Sequence, residues 1–353
     1  MVSILPAIGL AIILGFAAHR ASICTVRAVA EVLSARTGYM LISIAKSVLW
    51  VAAISLPFIW LVPSAGSGLT GWQLTGVAVL GGFVFGIGAG INGACAYATM
   101  ARLVDGDSGM LVTIAAFALG VFGFVGLLDL HWVTRPVQSP ALVTSALTYA
   151  ALIAAAVLIW CLYEVIRLWR TRPAGAGLMR LAFARQYRLS TTAVVMGGAT
   201  AALVLLFGPL GYTSTFEQVI EAGLGVRGWP TTVRWVLLAS VLVGMFLSTV
   251  QRGTFRVDWR PRRSWLRNFS GGLLMGLGVA LTPGGNDALV LYGIPSLSPH
   301  ALPAFLAMAI GIAAGLFLMR WWFGIETRVT CRNDLFVNDQ GLGDTRLSEK
   351  ASS

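Results

Sequence analysis

Long apolar stretches alternate with short polar ones along most of this chain. Nine apolar runs are present, at residues 3–18, 41–62, 72–93, 110–129, 143–166, 191–208, 231–250, 269–283 and 301–322. A helix needs about 20 apolar residues to cross a bilayer, so the pattern predicts about nine transmembrane helices. The first, sixth and eighth runs are short and end in polar sequence rich in Gly or Pro. Such broken spans are typical of transport sites.

The composition supports the membrane class. Hydrophobic residues make up 57% of the 353 residues and charged residues 11%, and the mean hydropathy is +0.81. Soluble domains carry about 25% charged residues. The much lower charged fraction of this chain excludes a single soluble domain of this length. We interpret the first run as a retained helix and not a signal peptide, because no charged segment or cleavage site accompanies it. Residues 326–353 are polar and predict a loose tail without a folded domain.

Positive charge is concentrated in two connections. Six arginines lie in residues 167–188 and six more in residues 252–267. Because Lys and Arg concentrate in cytoplasmic loops, both segments are predicted to be cytoplasmic. Nine spans then place the N-terminus in the periplasm and the C-terminus in the cytoplasm of a bacterial inner membrane. The arginines lie between apolar runs, so their excess is a topology signal and does not indicate nucleic-acid binding.

Two glycine-rich stretches of the first half repeat each other. A shift of 71 positions places Gly15 on Gly86 and Cys24 on Cys95. The repeat selects one thiol at the polar break of each copy. A duplicated membrane unit with a thiol at the break in each copy indicates a permeation site.

A second shift, of 190 positions, relates the first half to the second. It places Cys95 on Gly285 and Cys24 on Ser214. Five spans precede the second half, and an odd number inverts one half relative to the other. We therefore divide the chain into a first membrane half, a basic cytoplasmic linker, an inverted second half and a polar cytoplasmic tail, at residues 1–166, 167–190, 191–325 and 326–353.

Three motifs in this order resemble the YeeE/YedE sulfur-transport family. They are the segment His19–Thr25, the segment Gly86–Cys95, and Gly276-Leu277-Gly278 followed by Gly284-Gly285-Asn286. The resemblance covers most of residues 1–322. It implies an all-α, hourglass-like membrane protein with nine helices, pseudo-symmetric repeats and re-entrant central loops. It also implies uptake of thiosulfate or a related sulfur anion.

The same resemblance implies a relay of three cysteines at the central loops. Cys24 and Cys95 match two of them, whereas the third falls at Gly285, which has no thiol. This departure leaves open a two-thiol path, a different sulfur oxyanion, or a role for Asn286 and Asp287 in place of the thiol. The resemblance also implies a cytoplasmic sulfur-carrier protein as a partner at the basic inner face.

The candidate substrate-binding residues are those near the predicted breaks, together with two basic residues. They are Cys24, Cys95, Asn92, Gly285, Asn286, Ser214, Lys46 and Arg20. A neutral thiol is a weak hydrogen-bond donor, which suits the passage of an anion better than its capture. The alternatives are that the two cysteines pack as small hydrophobes or form a disulfide that gates the path.

The other polar residues have competing interpretations. Lys46 would either serve an anion path or extend to the interface, and Arg20 and Arg102 would attract an anion or mark the cytoplasmic side. Asp287 is predicted to cap a half-helix that begins near Ala288. Thr213, Ser214 and Thr215 would offer hydroxyl donors or cap a helix, Cys161 would fill packing space, and Cys331 would be exposed in the tail.

The sequence therefore favours an inner-membrane permease for a small inorganic sulfur anion. It contains no Walker loop, HExxH motif or nucleophile elbow, and its histidines lack metal-ligand spacing, so neither an enzyme nor a cofactor is predicted. A membrane thiol-redox protein that uses Cys24 and Cys95 is one alternative. An accessory subunit of a larger membrane complex is the other.

Overall fold

The computed structural model describes residues 4–62, 70–131, 134, 136–140, 147–171, 184–209, 211–257 and 264–340. Helices dominate this part of the chain. The helices of the first half are α1 (Ile4–Arg20), α2 (Thr25–Ala35), α3 (Tyr39–Leu61), α4 (Gly76–Asn92), α5 (Ala96–Val104), α6 (Gly109–Asp129) and α7 (Leu147–Arg170). Two short strands, β1 (Thr70–Trp72) and β2 (Gln138–Pro140), pair antiparallel between them.

The second half repeats the alternation of long and short helices. It comprises α8 (Leu189–Phe207), α9 (Tyr212–Gly223), α10 (Thr232–Arg252), α11 (Ser264–Leu281), α12 (Asn286–Ala288) and α13 (Ala301–Phe323), followed by β3 (Arg328–Arg332) and β4 (Leu335–Gln340). A π-helical segment, Leu289–Gly293, continues α12.

The membrane class predicted from the sequence is confirmed. Each of the nine predicted apolar runs contains a helix. Within the described ranges, seven helices or helix pairs are long and apolar enough to cross a membrane. The number is eight when α11 is counted together with the segment Asn286–Gly293, to which it is bent by 46°. The first residues of the predicted run 143–166 lie outside the described part, and α7 forms the rest. The chain is an all-α multi-pass membrane protein.

Glycines bring the central helices α4 and α11 into backbone contact. A Cβ added to Gly88 would lie 2.6 Å from the carbonyl oxygen of Gly271, and one added to Gly278 would lie 2.7 Å from that of Gly81. The shift of 190 residues pairs Gly81 with Gly271 and Gly88 with Gly278, so equivalent glycines make reciprocal contacts. Small residues permit such close packing in membranes. The inversion of the complete halves stays a prediction.

Other helices pack around this central pair. Helix α4 packs against α13 and α11 against α6, while α1 packs against α10 and α3 against α8. The half-helices α2, α5, α9 and α12 each follow a long helix after a short break. Buried polar residues lie at these four breaks, among them Asn92, Thr213 and Asn286.

The tail expected to be loose contains an ordered hairpin. Strands β3 and β4 pair antiparallel, and β3 packs against α2. Val329, Cys331 and Phe336 are buried, so the expectations of a loose tail here and of an exposed Cys331 are wrong. The physical reason is that residues of β3 alternate between exposed and buried, which gives the strand one face that can pack. Residues 341–353 lie outside the described part.

Candidate functional site

The breaks before α2 and α5 follow from residues with left-handed backbone. Ser22 has a φ of 54° and Gly93 a φ of 73°, and such a residue ends an α-helix. At the first break the N–H of Ile23 donates to the carbonyl of Ala18 at 3.4 Å, which closes the end of α1. A cysteine comes two residues after the left-handed residue in both breaks and starts the next half-helix.

Cys24 and Cys95 meet at the centre of the protein. They are the N-cap residues of α2 and α5, and each is only 1% exposed. Their thiols lie close enough to interact with each other, and both cysteines are free rather than joined in a disulfide. The structure therefore brings together two residues that lie 71 positions apart in the sequence.

Backbone N–H groups surround the thiol pair in a reciprocal way. The sulfur of Cys24 interacts with the N–H groups of Cys95 and Arg27. The sulfur of Cys95 interacts with those of Thr25 and Ala98. The N-terminal ends of two half-helices thus point at one place, and helix N-termini favour negative charge.

The breaks of the second half meet the same region. Asp287 accepts hydrogen bonds from the N–H of Thr213 at 3.2 Å and from its hydroxyl group. Asn286 Nδ2 donates to Thr25 Oγ1 at 3.2 Å and so joins the two halves. Asp287 therefore caps α9, and its carboxylate also interacts with the N–H groups of Asp287 and Ala288 in its own half-helix, as predicted. That half-helix begins at Asn286, with Gly285 as its N-cap.

Thr213 occupies the space beside Gly285. A Cβ added to Gly285 would lie 2.7 Å from Thr213 Cγ2 and 2.8 Å from Thr213 Oγ1. The N–H of Gly285 also donates to Thr213 Oγ1 at 3.1 Å. A hydroxyl group thus lies where the resemblance leads us to expect a third thiol.

The two asparagines of the predicted site have different surroundings. Asn92 Nδ2 donates to the carbonyl of Ala94 and to Thr99 Oγ1, and Asn92 Oδ1 accepts from Thr113 Oγ1 at 2.9 Å. These bonds hold the break before α5 in place. Within the described part of the chain, the buried Oδ1 of Asn286 has no hydrogen-bond partner. Asn286 is therefore the asparagine with hydrogen-bonding capacity left for a bound molecule.

A large cavity of about 560 Å³ lies on one side of these breaks. Ser214 lines it, with its hydroxyl donating to the carbonyl of Gly211 at 2.9 Å. By its place as the N-cap of α9, Gly211 corresponds to Cys24 more closely than Ser214 does. Other lining residues include Trp72, Gln138, Glu217, Glu221, Arg227, Arg234 and Gly284.

The charges in the large cavity are of both signs. Arg227 and Glu221 form an ion pair at 3.5 Å, and Arg234 donates to Gln218 Oε1 at 2.8 Å. Glu217 and Glu221 are both buried. The cavity has a polar lining, but that lining is not purely attractive to an anion.

A smaller cavity of about 50 Å³, here called the basic cavity, lies on the opposite side of the breaks. Its charged and polar lining residues are His19, Ser22, Arg27, Arg102, Asp105, Asp107, Arg252 and Thr254. Ile23 and Tyr97, which flank the two cysteines in sequence, also line it. The two cavities are thus separated by the central breaks.

Ion pairs organise the rim of the basic cavity. Arg102 pairs with Asp107 at 2.8 Å and His19 with Asp105 at 3.3 Å. Burial opposes ionisation of Asp105, but His19 and the hydroxyls of Thr249 and Thr254 outweigh it and hold the pKa of that carboxyl below its ordinary value. Asp105 is therefore charged at neutral pH.

The two basic residues of the predicted site lie in other polar clusters. Arg20 is 1% exposed and donates to Ser248 Oγ at 3.2 Å and to Gln251. Lys46 Nζ binds Glu164 Oε1 at 2.8 Å and Ser190 Oγ at 2.9 Å. Neither is among the residues that line the two cavities.

Arg27 and Tyr97 were not predicted from the sequence. Arg27 follows Cys24 by three positions in α2, and residues at that spacing share one face of a helix. Tyr97 donates to the carbonyl of Gly15 at 3.2 Å, and its ring lies 5.9 Å from that of Tyr212. The helical spacing from Cys24 is the signal that would have identified Arg27.

The remaining cysteines are away from the central pair. Cys161 packs with Trp50 and Ala53, in agreement with a packing role. Burial, together with the neighbouring carboxylate of Glu31, raises the pKa of the Cys331 thiol to about 12. Among the described residues, no group of three or more His, Cys, Asp or Glu side chains is placed to hold a metal ion.

Comparison with known proteins agrees with this arrangement. Residues 20–314 match the family described as Sulphur transport. The chain is also similar to the thiosulfate transporter TsuA of Escherichia coli (strain K12), with 26% identity over 269 residues, which cover 69% of this chain and 74% of the relative. The matched residues include all four central breaks and most of the membrane helices. The chain therefore belongs to the Sulphur transport family.

Proposed function

We propose that this protein is a permease that carries a small inorganic sulfur anion, thiosulfate or a close relative, into the cytoplasm. The observation that carries the proposal is the thiol pair at four converging breaks, with a cavity on each side. Membership of the Sulphur transport family and the similarity to a thiosulfate transporter support the substrate class.

The chemistry of the breaks suits a desolvated anion. Backbone that leaves a helix at membrane depth is tolerated where it lines a cavity, and its N–H groups favour negative charge. A thiol adds a weak donor that binds loosely enough for release. A passing anion would exchange its water for the N–H groups near Cys24 and Cys95, in steps.

The second-half breaks would form the first constriction reached from the large cavity. Ser214 and Gly284 line that cavity, and Thr213, Gly285 and Asn286 come next to them in the chain. The Thr213 hydroxyl and the Asn286 amide would replace the third thiol of the family pattern. Such a path requires only two cysteines.

The distribution of arginines supports inward transport. The basic cavity includes Arg252 and Thr254 from the arginine-rich connection of residues 252–267. The large cavity includes Trp72, Gln138 and Arg227, from connections predicted to be periplasmic. The positive-inside rule thus supports an orientation in which the large cavity faces the periplasm and the basic cavity faces the cytoplasm. A cytoplasmic sulfur-carrier protein at this basic face stays a prediction.

Uptake of labelled thiosulfate tests the proposal. Cells without their own thiosulfate import would express the wild type, Cys24→Ala, Cys95→Ala or Cys161→Ala at matched levels. We expect uptake with the wild type and with Cys161→Ala, the control for a buried cysteine outside the breaks, and its loss in the other two variants. Wild-type cells without uptake would remove thiosulfate as the substrate. Unchanged uptake by both central variants would refute the thiol path.

The contact between the two thiols favours one alternative, a membrane thiol-redox protein. In that function Cys24 and Cys95 would cycle through a disulfide, and reductant would change the protein without any passage of substrate. Counting free thiols in the denatured protein after mild oxidation distinguishes the two functions. A disulfide that forms reversibly in a protein without uptake would favour redox chemistry.

A further inference from the structure

The C-terminal hairpin of β3 and β4 is held against the half-helix that carries Cys24. Ser34, in the last turn of α2, donates to the carbonyl of Val329 at 3.3 Å and accepts from its N–H at 3.1 Å. Val329 is 0% exposed and Phe336 is 3% exposed. The hairpin is therefore a packed part of the fold on the side of the basic cavity.

A second set of contacts fixes the hairpin to α8. The N–H of Leu189 donates to the carbonyl of Asp334 at 2.8 Å. The hydroxyl of Ser190 donates to Asp334 Oδ1 at 2.9 Å, and Gln186 donates to the carbonyl of Phe336. Because it is attached to α2 and α8, the hairpin holds Phe336 at a defined position.

Phe336 lies against the guanidinium group of Arg27. The distance from Arg27 Cζ to the ring centroid is 5.0 Å. Arg27 is 7% exposed, lines the basic cavity and donates to the carbonyl of Ser22 at 3.2 Å. Its positive charge acts on the sulfur of Cys24. Stacking uses the face of a guanidinium group, whereas its N–H groups point outward from the edge.

Arg27 differs from the other arginines of this cavity in its position. All three have partners: Arg102 pairs with Asp107 at the rim, Arg252 donates to the carbonyl of His19 at 3.3 Å, and Arg27 donates to that of Ser22 at 3.2 Å. Arg27 is the cavity arginine that belongs to the same half-helix as Cys24. An anion that leaves the thiols toward the basic cavity would meet this charge next.

We infer that Arg27, positioned by Phe336 of the C-terminal hairpin, is the anion-binding residue that receives the substrate after Cys24. This inference rests on the proposed function and adds the hairpin to the transport path. Arg27 binds the anion directly, and Phe336 is a positioning residue. The ligand is a small divalent oxyanion, for which a planar guanidinium group offers two parallel hydrogen bonds.

Concentration-dependent uptake and direct binding test the inference together. Thiosulfate uptake by cells and calorimetric binding of thiosulfate to the purified full chain would be measured for Arg27→Gln, Arg27→Lys, Phe336→Leu and Phe336→Trp. Arg328→Gln is the control, because it removes the same charge from a side chain of the hairpin that is 70% exposed.

We expect Arg27→Gln to raise KM and Kd by about tenfold or more, since it removes a hydrogen bond from a charged donor. Arg27→Lys should retain part of the affinity. Phe336→Leu should raise KM roughly threefold with little change in maximal rate, and Phe336→Trp should restore it, because tryptophan is the best aromatic partner of a cation. Arg328→Gln should behave as the wild type.

The outcomes separate this inference from the proposed function. Wild-type affinity in Arg27→Gln would overturn the inference while leaving the permease intact. Binding by the wild-type protein that depends on Arg27 but occurs without uptake would support the site and refute the permease. A wild type that neither binds nor takes up thiosulfate would overturn both. Loss of maximal rate in Phe336→Leu without a change in KM would show a structural role only.

Discussion

Replacing Gly285 with cysteine would place a third thiol at the central breaks and would force it against Thr213. The added Cβ would lie 2.7 Å from Thr213 Cγ2 and 2.8 Å from Thr213 Oγ1, closer than real Cβ contacts. Gly285 has a φ of −81°, so cysteine meets no backbone strain, and the steric cost comes from Thr213. Overpacking of a buried site costs about 1–3 kcal/mol. We expect Gly285→Cys to lower the free energy of unfolding by this amount.

A second change separates the steric effect from any effect of the thiol itself. Thr213→Ser removes Cγ2 and keeps the hydroxyl that donates to Asp287 and accepts from the N–H of Gly285. In the Gly285→Cys background this change should therefore recover part of the lost stability. The free energy of unfolding of the double variant should be about 1 kcal/mol higher than the value expected from adding the effects of the two single variants.

The assay is a double-mutant cycle of unfolding in one detergent, with thiosulfate uptake measured on the same four proteins. A Gly285→Cys protein as stable as the wild type would refute the steric argument, as would an additive cycle. If the permease proposal is right, the double variant should regain uptake along with stability. Recovered stability without uptake would mean that the added thiol itself blocks the path, because Thr213→Ser keeps the hydroxyl.

Three further predictions concern residues outside the central breaks. Cys331 should resist maleimide at pH 8 in the native protein and react once the protein is denatured. Burial and Glu31 raise its pKa to about 12, and only the thiolate reacts. Rapid labelling of the native protein would contradict this expectation. Lys46→Met should lower the unfolding temperature, because Glu164 is 2% exposed and loses a partner. Thiosulfate uptake per molecule should not change. A tenfold loss of uptake would instead show that Lys46 belongs to the transport path. Glu31→Gln should lower the free energy of unfolding by about 1 kcal/mol, because the carboxylate caps α3 by accepting from the N–H of Met40 at 2.9 Å. An unchanged free energy of unfolding would exclude that role.

The positions of the membrane helices could be predicted because they depend on local composition. A run of apolar residues long enough for the bilayer forms a helix wherever it occurs, since every backbone group must be paired there. The predicted run 191–208 and helix α8 (Leu189–Phe207) differ by only two residues at the start. The same local reasoning located the breaks before Cys24 and Cys95, where Ser22 and Gly93 end the preceding helices.

The errors lie where a residue binds a remote segment. Asp287 was expected to cap only its own half-helix, because capping is normally local, but it also accepts from the N–H of Thr213, 74 positions away. Cys331 was expected to be exposed because the tail is polar in composition. Composition does not reveal that one strand face packs on α2. Ser214 was aligned with Cys24 by glycine spacing, whereas the structure places Gly211 at the corresponding N-cap.

The sequence by itself determined the membrane class, the location of the helices, the breaks with their thiols and the resemblance to a sulfur-transport family. These properties depend on residues near each other in the chain or on a motif order. Only the tertiary structure decided that Cys24 meets Cys95, that Thr213 lies in the space beside Gly285 and that Phe336 contacts Arg27. Such contacts depend on how closely the helices approach one another. That distance is determined by the packing of the whole helix bundle and cannot be predicted from a local sequence pattern.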